Sequence, residues 1–369
     1  MNSKHCILLD IPLTTENDSA AHIIPSALGG RLKPLGILSD TANGDLNNKF
    51  DLPLIKAFSP LMALLGGSRD SGKNQPTEMA DGAGNRYRVV YGETIQLTAP
   101  EFSESEAPDG ATAYMIKART FKEARTLLGR VKKKHPDFDI EAAMQRAVMQ
   151  ESYPDGMLGA RLQIGPIVLF PAVFVMASVY AAHCKLAVHP TFKDYVESFD
   201  IAAPSLPPDT FHWLAPQQWF RVDGNEVSHI IALCRDAHRR QALFYAELFN
   251  LVGVAVTLPY CGTENICSSY GVDVITGKPI DVHIDEAAVR SLEWKPSHQL
   301  GEISLNQQLQ ARMEKLMSTV FDRSRRREVS RIAQEVLGPP DGRPLTKEDI
   351  TILSRRIAEF AVQTLFRRR

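Results

Sequence analysis

Apolar and polar positions alternate in short runs near the front of the chain and settle into long helical stripes towards its end. Residues 7–11 and 36–38 read as short strands, and residues 45–57 as a helix or helix-like turn. A polar, glycine-rich stretch at 66–85 reads as loop. Residues 87–91 and 94–97 predict a hairpin around Gly92-Glu93, and residues 113–118 another strand. Over residues 120–134, Phe121, Ala124, Leu127, Leu128 and Val131 recur at helical spacing before the basic end Lys132-Lys133-Lys134.

From about Gly165 the pattern becomes more apolar. A buried helix is expected from Pro171 to His183, a second at 192–199, and strands over 227–234 and 241–258. A hairpin is expected over 270–284, turning at Thr276-Gly277-Lys278-Pro279. Residues 305–337 and 347–366 carry helical periodicity, separated by Pro339-Pro340-Asp341-Gly342. Thr346 is the N-cap of the last helix, with Asp349 three residues on. The strand–helix alternation predicts a mixed α/β or α+β fold, with helices packed around one sheet. Four segments follow: residues 1–60, an α/β segment at 61–160, a mixed body at 165–300, and basic C-terminal helices at 301–369.

Composition adds little to this picture and excludes little. The apolar fraction of 44% with 23% charged residues is that of a water-soluble globular protein. Net charge is −1, but residues 311–369 carry 14 Lys and Arg against 8 Asp and Glu, leaving the rest mildly acidic. A basic tail of this kind fits phosphate contacts, with Arg323, Arg325, Arg326 and Arg327 as the candidates and Arg367, Arg368 and Arg369 behind them. Residues 162–184 lack Asp, Glu, Lys and Arg, yet two prolines and several polar residues interrupt them. They read as a core helix, and no membrane partner is expected. The N-terminus has no secretory pattern. Cys6, Cys184, Cys234, Cys261 and Cys267 form no Cys-x-x-Cys pair, so no structural zinc is expected and a reducing, cytoplasmic setting fits. Cys261 and Cys267 read as ordinary thiols, and the isolated histidines as structural. The run Gly67 to Asn74 approaches a phosphate-binding loop, but Asn74 stands where magnesium needs Ser or Thr.

The chemistry-bearing segment is Ala21-His22-Ile23-Ile24-Pro25, then Leu28-Gly29-Gly30, then Ser39-Asp40-Thr41-Ala42-Asn43, with Asp51 further on. It resembles the HNH endonuclease family, in the branch reading Glu-His-Ile-Ile-Pro, a spacer, Leu-Gly-Gly, and Cys-x-x-Cys-Asn. That resemblance implies a ββα metal fold in residues 1–60 and phosphodiester hydrolysis in DNA, in a bacterial or phage-defence setting. Hydrolysis of a phosphodiester needs a base for water and a cation for the charge that develops on phosphate. Histidine suits the first task near neutral pH.

By this transfer His22 is the general base and Asn43 the metal-binding or orienting residue. Asp40 and Asp51 are candidate ligands of magnesium or manganese, with Asp18 and Asp45 as further carboxylates. Two departures stand out. Ala21 replaces the family's acid, and the knuckle positions that carry cysteine in relatives are Cys6, Leu9, Ser39 and Ala42. The alternatives are an inactive descendant that binds nucleic acid or acts as a scaffold, and a structural or regulatory protein. Oligomeric state stays open.

Overall fold

The computed structural model describes residues 4–69, 72, 76–82, 84–93, 95–106, 108, 110, 112–148, 158–213, 220–221, 227–291, 293–294, 302–338 and 344–366. Pro339 to Gly342, Arg367 to Arg369 and much of the 67–74 run therefore lie outside the described residues. The chain is α+β, and every strand pairing among the described residues is antiparallel. The expected single sheet is instead several separate ones. In space the chain forms two units, one from residues 1–74 with 162–331, the other from 75–161 with 332–369. The four segments expected from chain order are thus regrouped into discontiguous pieces.

The first unit opens with the two-residue strand β1 (Asp18–Ser19), which pairs with β2 (Leu38–Ser39). The predicted strand at 7–11 is instead a turn: Asp10 donates its backbone N–H to Cys6 O at 2.9 Å and takes a positive φ of 54°. Helix α1 (Asp40–Leu46) follows β2 directly, with Ser39 as N-cap, its Oγ accepting from Ala42 N at 3.3 Å. A π-helical turn (Asn47–Asp51) joins α1 to α2 (Leu52–Leu65), which ends at Gly66 in the left-handed conformation.

In the second unit β3 (Thr77–Ala80), β4 (Arg86–Val89) and β5 (Gln96–Leu97) form one sheet, and β6 (Glu101–Glu106) pairs with β7 (Thr112–Lys117). Helix α3 (Phe121–Lys134) starts where its pattern predicts, with Thr120 Oγ1 accepting from Glu123 N, and α4 (Ile140–Gln145) follows.

Back in the first unit, α5 (Pro166–His183) begins five residues earlier than expected. Pro166 takes the first turn, where a missing N–H costs nothing, and Pro171 sits inside the helix. This helix has the length and apolarity to cross a membrane, yet residues from Leu169 to Ala181 are buried within the unit. Helix α6 (Phe192–Ser198) follows, then β8 (Thr210–His212) and β9 (Phe220–Arg221).

The main sheet uses β8, β10 (Ser228–Asp236), β11 (Gln241–Leu248), β12 (Val252–Pro259), β13 (Cys267–Asp273) and β14 (Pro279–Ile280), in the order β14-β13-β10-β11-β12-β8. What reads as one apolar run at 241–258 is a hairpin. Phe249 and Asn250 turn it with φ of 58° and 53°, the pair of positive values a type I′ turn requires. The expected 270–284 hairpin closes at β14, while β15 (His283–Ile284) pairs with β9. Cys234 and Cys267 stand directly opposite on β10 and β13 and form a disulfide, which corrects the reading of Cys267 as a plain thiol. Helices α7 (Glu286–Ser291), α8 (Glu302–Leu337) and α9 (Lys347–Phe366) complete the chain. At the start of α9, Asp349 N donates to Thr346 Oγ1 and Thr346 N to Asp349 Oδ2, a reciprocal cap.

Alternate residues of β11 serve two cores, as the period of two dictates. Phe244, Ala246 and Leu248 enter the large core with α5 and α2, while Leu243 and Tyr245 join Phe211, Phe220 and Trp294 on the other face. The N-terminal residues belong to that large core. Phe50 packs on Tyr195 and Phe199, and Phe58 stacks on Phe249 with ring centroids 5.1 Å apart.

Candidate functional site

The site is built where β1 leaves its partner. Ala21 N donates to Ser19 O at 2.9 Å, bending the chain, and Ile23 N donates to Leu32 O at 3.0 Å, closing the loop that holds Leu28-Gly29-Gly30. His22 lies between these two bonds, half-buried. Glycine at 30 is a packing necessity, since a Cβ there would fall 1.8 Å from Ile24 O. Gly29 turns the loop at φ 97°.

Asn43, on α1, donates from Nδ2 to Ser19 Oγ at 3.0 Å, and Ser19 is buried. The helix bearing Asn43 is thereby tied to the strand three residues ahead of His22. Ser19 is the member that the motif did not reveal, because its hydroxyl gains meaning only once residues 20–37 have looped back.

At the positions where the resemblance expects a cysteine knuckle, Cys6 is buried and its Sγ accepts from Ser39 N at 3.4 Å and Ser39 Oγ at 3.7 Å. Ala42 is buried beside them, while Leu9 is exposed. Three of the four positions thus form a small packed corner.

The acidic candidates scatter. Asp18 Oδ1 accepts from Gly36 N at 2.8 Å, so it braces the loop. Asp40 is exposed on the first turn of α1. Asp45 pairs with Lys49 at 3.3 Å. Asp51 lies eight residues beyond Asn43 on a continuous helical path, a rise of roughly 12 Å. One ion with ligand distances near 2.1 Å does not span that gap. Loss of solvent pushes the Asp51 carboxyl up to about 7.

Magnesium or manganese needs hard oxygen ligands in one place. Where the resemblance expects an acid, Ala21 places a buried methyl group, 2% exposed, and Asn43, whose Nδ2 donates to Ser19, has only its amide oxygen to offer a cation. Among the described residues no group of three or more His, Cys, Asp or Glu side chains is arranged to hold a metal ion. The residues brought together around His22 do not by themselves make such a shell.

The arginine candidates divide. Arg323 Nε donates to Leu65 O at 3.3 Å and so caps the last turn of α2. Arg325 lies 3.7 Å from Asp322, and Arg325, Arg326 and Arg327 are exposed on α8.

Behind the loop, His229 on β10 is fully buried. Its Nε2 is 2.8 Å from Leu28 O and its Nδ1 accepts from Phe249 N at 3.1 Å, which fixes the proton on Nε2. Burial pulls its pKa down to about 4. His229 is therefore a neutral strut from the main sheet to the Leu-Gly-Gly loop, in keeping with a structural reading. Arg31 adds a second tie, from Nη2 to Ser68 Oγ at 2.8 Å and from Nε to Gly277 O at 3.3 Å.

No family model matches the chain, and no curated protein or solved structure matches it.

Proposed function

We propose that the chain binds DNA through an N-terminal unit of HNH descent, one that has kept the strand-end histidine and given up the metal shell. The observation that carries this reading is the Asn43 Nδ2 to Ser19 Oγ bond. It holds α1 against the strand leading into His22, the arrangement the motif implies, while Ala21 buries a methyl group in place of the acid. A phosphate can still be met by an imidazole at a loop edge. Activation of water beside a magnesium ion asks for a ligand that position 21 no longer supplies.

The test is duplex binding by fluorescence anisotropy alongside plasmid nicking across magnesium, manganese and zinc, for the parent and His22→Ala. Binding without nicking is the expected result, and the variant should bind more weakly. Nicking by the parent that His22→Ala abolishes would establish the competing endonuclease reading. Failure of the parent to bind DNA at low salt would remove both.

A further inference from the structure

Helix α3 carries its charge on one side. With 3.6 residues per turn, Ala124, Leu127, Leu128 and Val131 share a face, on which Leu127 and Val131 are buried. Lys122, Arg125, Thr126, Arg130, Lys132 and Lys133 spread over the opposite face, and all six are exposed. The acid of this helix, Glu123, is engaged with Arg119, and Arg125 pairs with Glu141. The side chains of Lys122, Arg130, Lys132 and Lys133 make no hydrogen bond or ion pair among the described residues. At the centre of this face, one turn from Arg125 and one from Lys133, lies Gly129. A Cβ there would meet nothing within 4 Å, so packing does not require a glycine. Glycine inside a helix costs stability relative to alanine. Its effect here is to leave the middle of the cationic face flat and open to close approach.

We propose that this face of α3 is a second DNA-contact surface, one that takes the phosphate backbone of a duplex across Gly129. It belongs to the second unit, whereas the His22 loop belongs to the first, and it rests on the DNA-binding reading for its choice of polyanion. From Lys122 to Lys133 is about 16 Å of helix, and a duplex presents one charge per roughly 1.7 Å of its axis. The four cations therefore meet phosphates in any register. Contacts of this kind position the duplex and read no sequence. A helix lying on an anionic bilayer would need free apolar side chains beside its charges. Leu127 and Val131 are instead buried, which favours DNA.

The experiment measures affinity for a fluorescein-labelled duplex against salt concentration for the parent, the double variant Lys122→Gln/Lys133→Gln, Gly129→Glu and Gly129→Gln. The charge-matched control is Lys56→Gln/Lys193→Gln, at exposed positions on α2 and α6 of the first unit. Lys122→Gln/Lys133→Gln should weaken binding at least about tenfold at 0.1 M salt and reduce the slope of log K against log salt by about 2. Gly129→Glu sets an anion in the middle of the face and should weaken binding about fivefold or more. Gly129→Gln, a side chain of similar size, should stay within about twofold of the parent. Both Gly129 variants are better helix formers, so their thermal midpoints should be no lower than the parent's, and lost binding cannot be lost folding. The control should match the parent. Parent-like affinity and slope for Lys122→Gln/Lys133→Gln and for Gly129→Glu would overturn the assignment and leave the DNA-binding reading of the His22 site standing. Equal losses in Gly129→Glu and Gly129→Gln would also overturn it. A parent that binds phosphatidylserine vesicles but no duplex at low salt ends both readings.

Discussion

Acid should loosen the join between the N-terminal residues and the main sheet, and His229 sets the pH at which it does so. Its imidazole is fully buried, with Nδ1 accepting from Phe249 N and Nε2 bonded to Leu28 O. A second proton would have to enter at Nδ1, facing a backbone N–H that already points at it. The folded pKa is lowered from 6.5 to about 4, so the unfolded chain binds the proton more readily. The contribution of His229 is therefore fully present above pH 6.5 and is lost as pH falls towards 4. At one pKa unit per 1.4 kcal/mol, the loss amounts to about 3 kcal/mol at the lower limit. Urea unfolding followed at intervals from pH 7.5 to 4, for the parent and His229→Gln, measures it. The glutamine keeps polar atoms for both neighbours but has no titrating group, so its stability should fall less over this window. Equal losses in the two proteins between pH 6.5 and 4 would refute the assignment of the proton and its cost.

Asp51 works with the opposite sign. Burial raises its carboxyl to about 7, so charging it destabilises the fold as pH rises above the ordinary carboxylate value of 3.8. Because the residue retains some solvent contact, Asp51→Asn should stabilise by about 2 kcal/mol at pH 8 and by almost nothing at pH 4, read by the same titration. Gly30→Ala drives a methyl group into Ile24 O and should cost at least about 3 kcal/mol, seen as a lowered thermal midpoint. If its midpoint equals the parent's, the loop is not packed as described.

The sequence announced elements whose cause is local. Helix α9 has its expected bounds because Thr346 and Asp349 cap each other across one turn, and α3 starts at Thr120 for the same kind of reason. Prediction lapsed where the cause is distant. Strand β1 holds two polar residues, too few to show a period, while the apolar run at 7–11 closes into a turn. The 241–258 run conceals its turn because Phe249, rather than Asn or Gly, takes the first left-handed position. At that place Phe58 and His229 cover the ring, and burial offsets the backbone strain. The site divides in the same way. The motif drew attention to His22 and Asn43, but Ser19 and His229 depend on loop closure and on a sheet two hundred residues away.

One large core shared by residues 1–74 and 162–331 has a consequence during synthesis. Phe50 and Phe58 leave the ribosome well before Tyr195, Phe199 and Phe249 exist to cover them. At 5–20 residues per second, the 145 positions from Phe50 to Tyr195 impose a delay of roughly 7–30 s. Through that interval the leading segment is a greasy, unfinished half, a natural client for a chaperone. Expressed alone, it should aggregate.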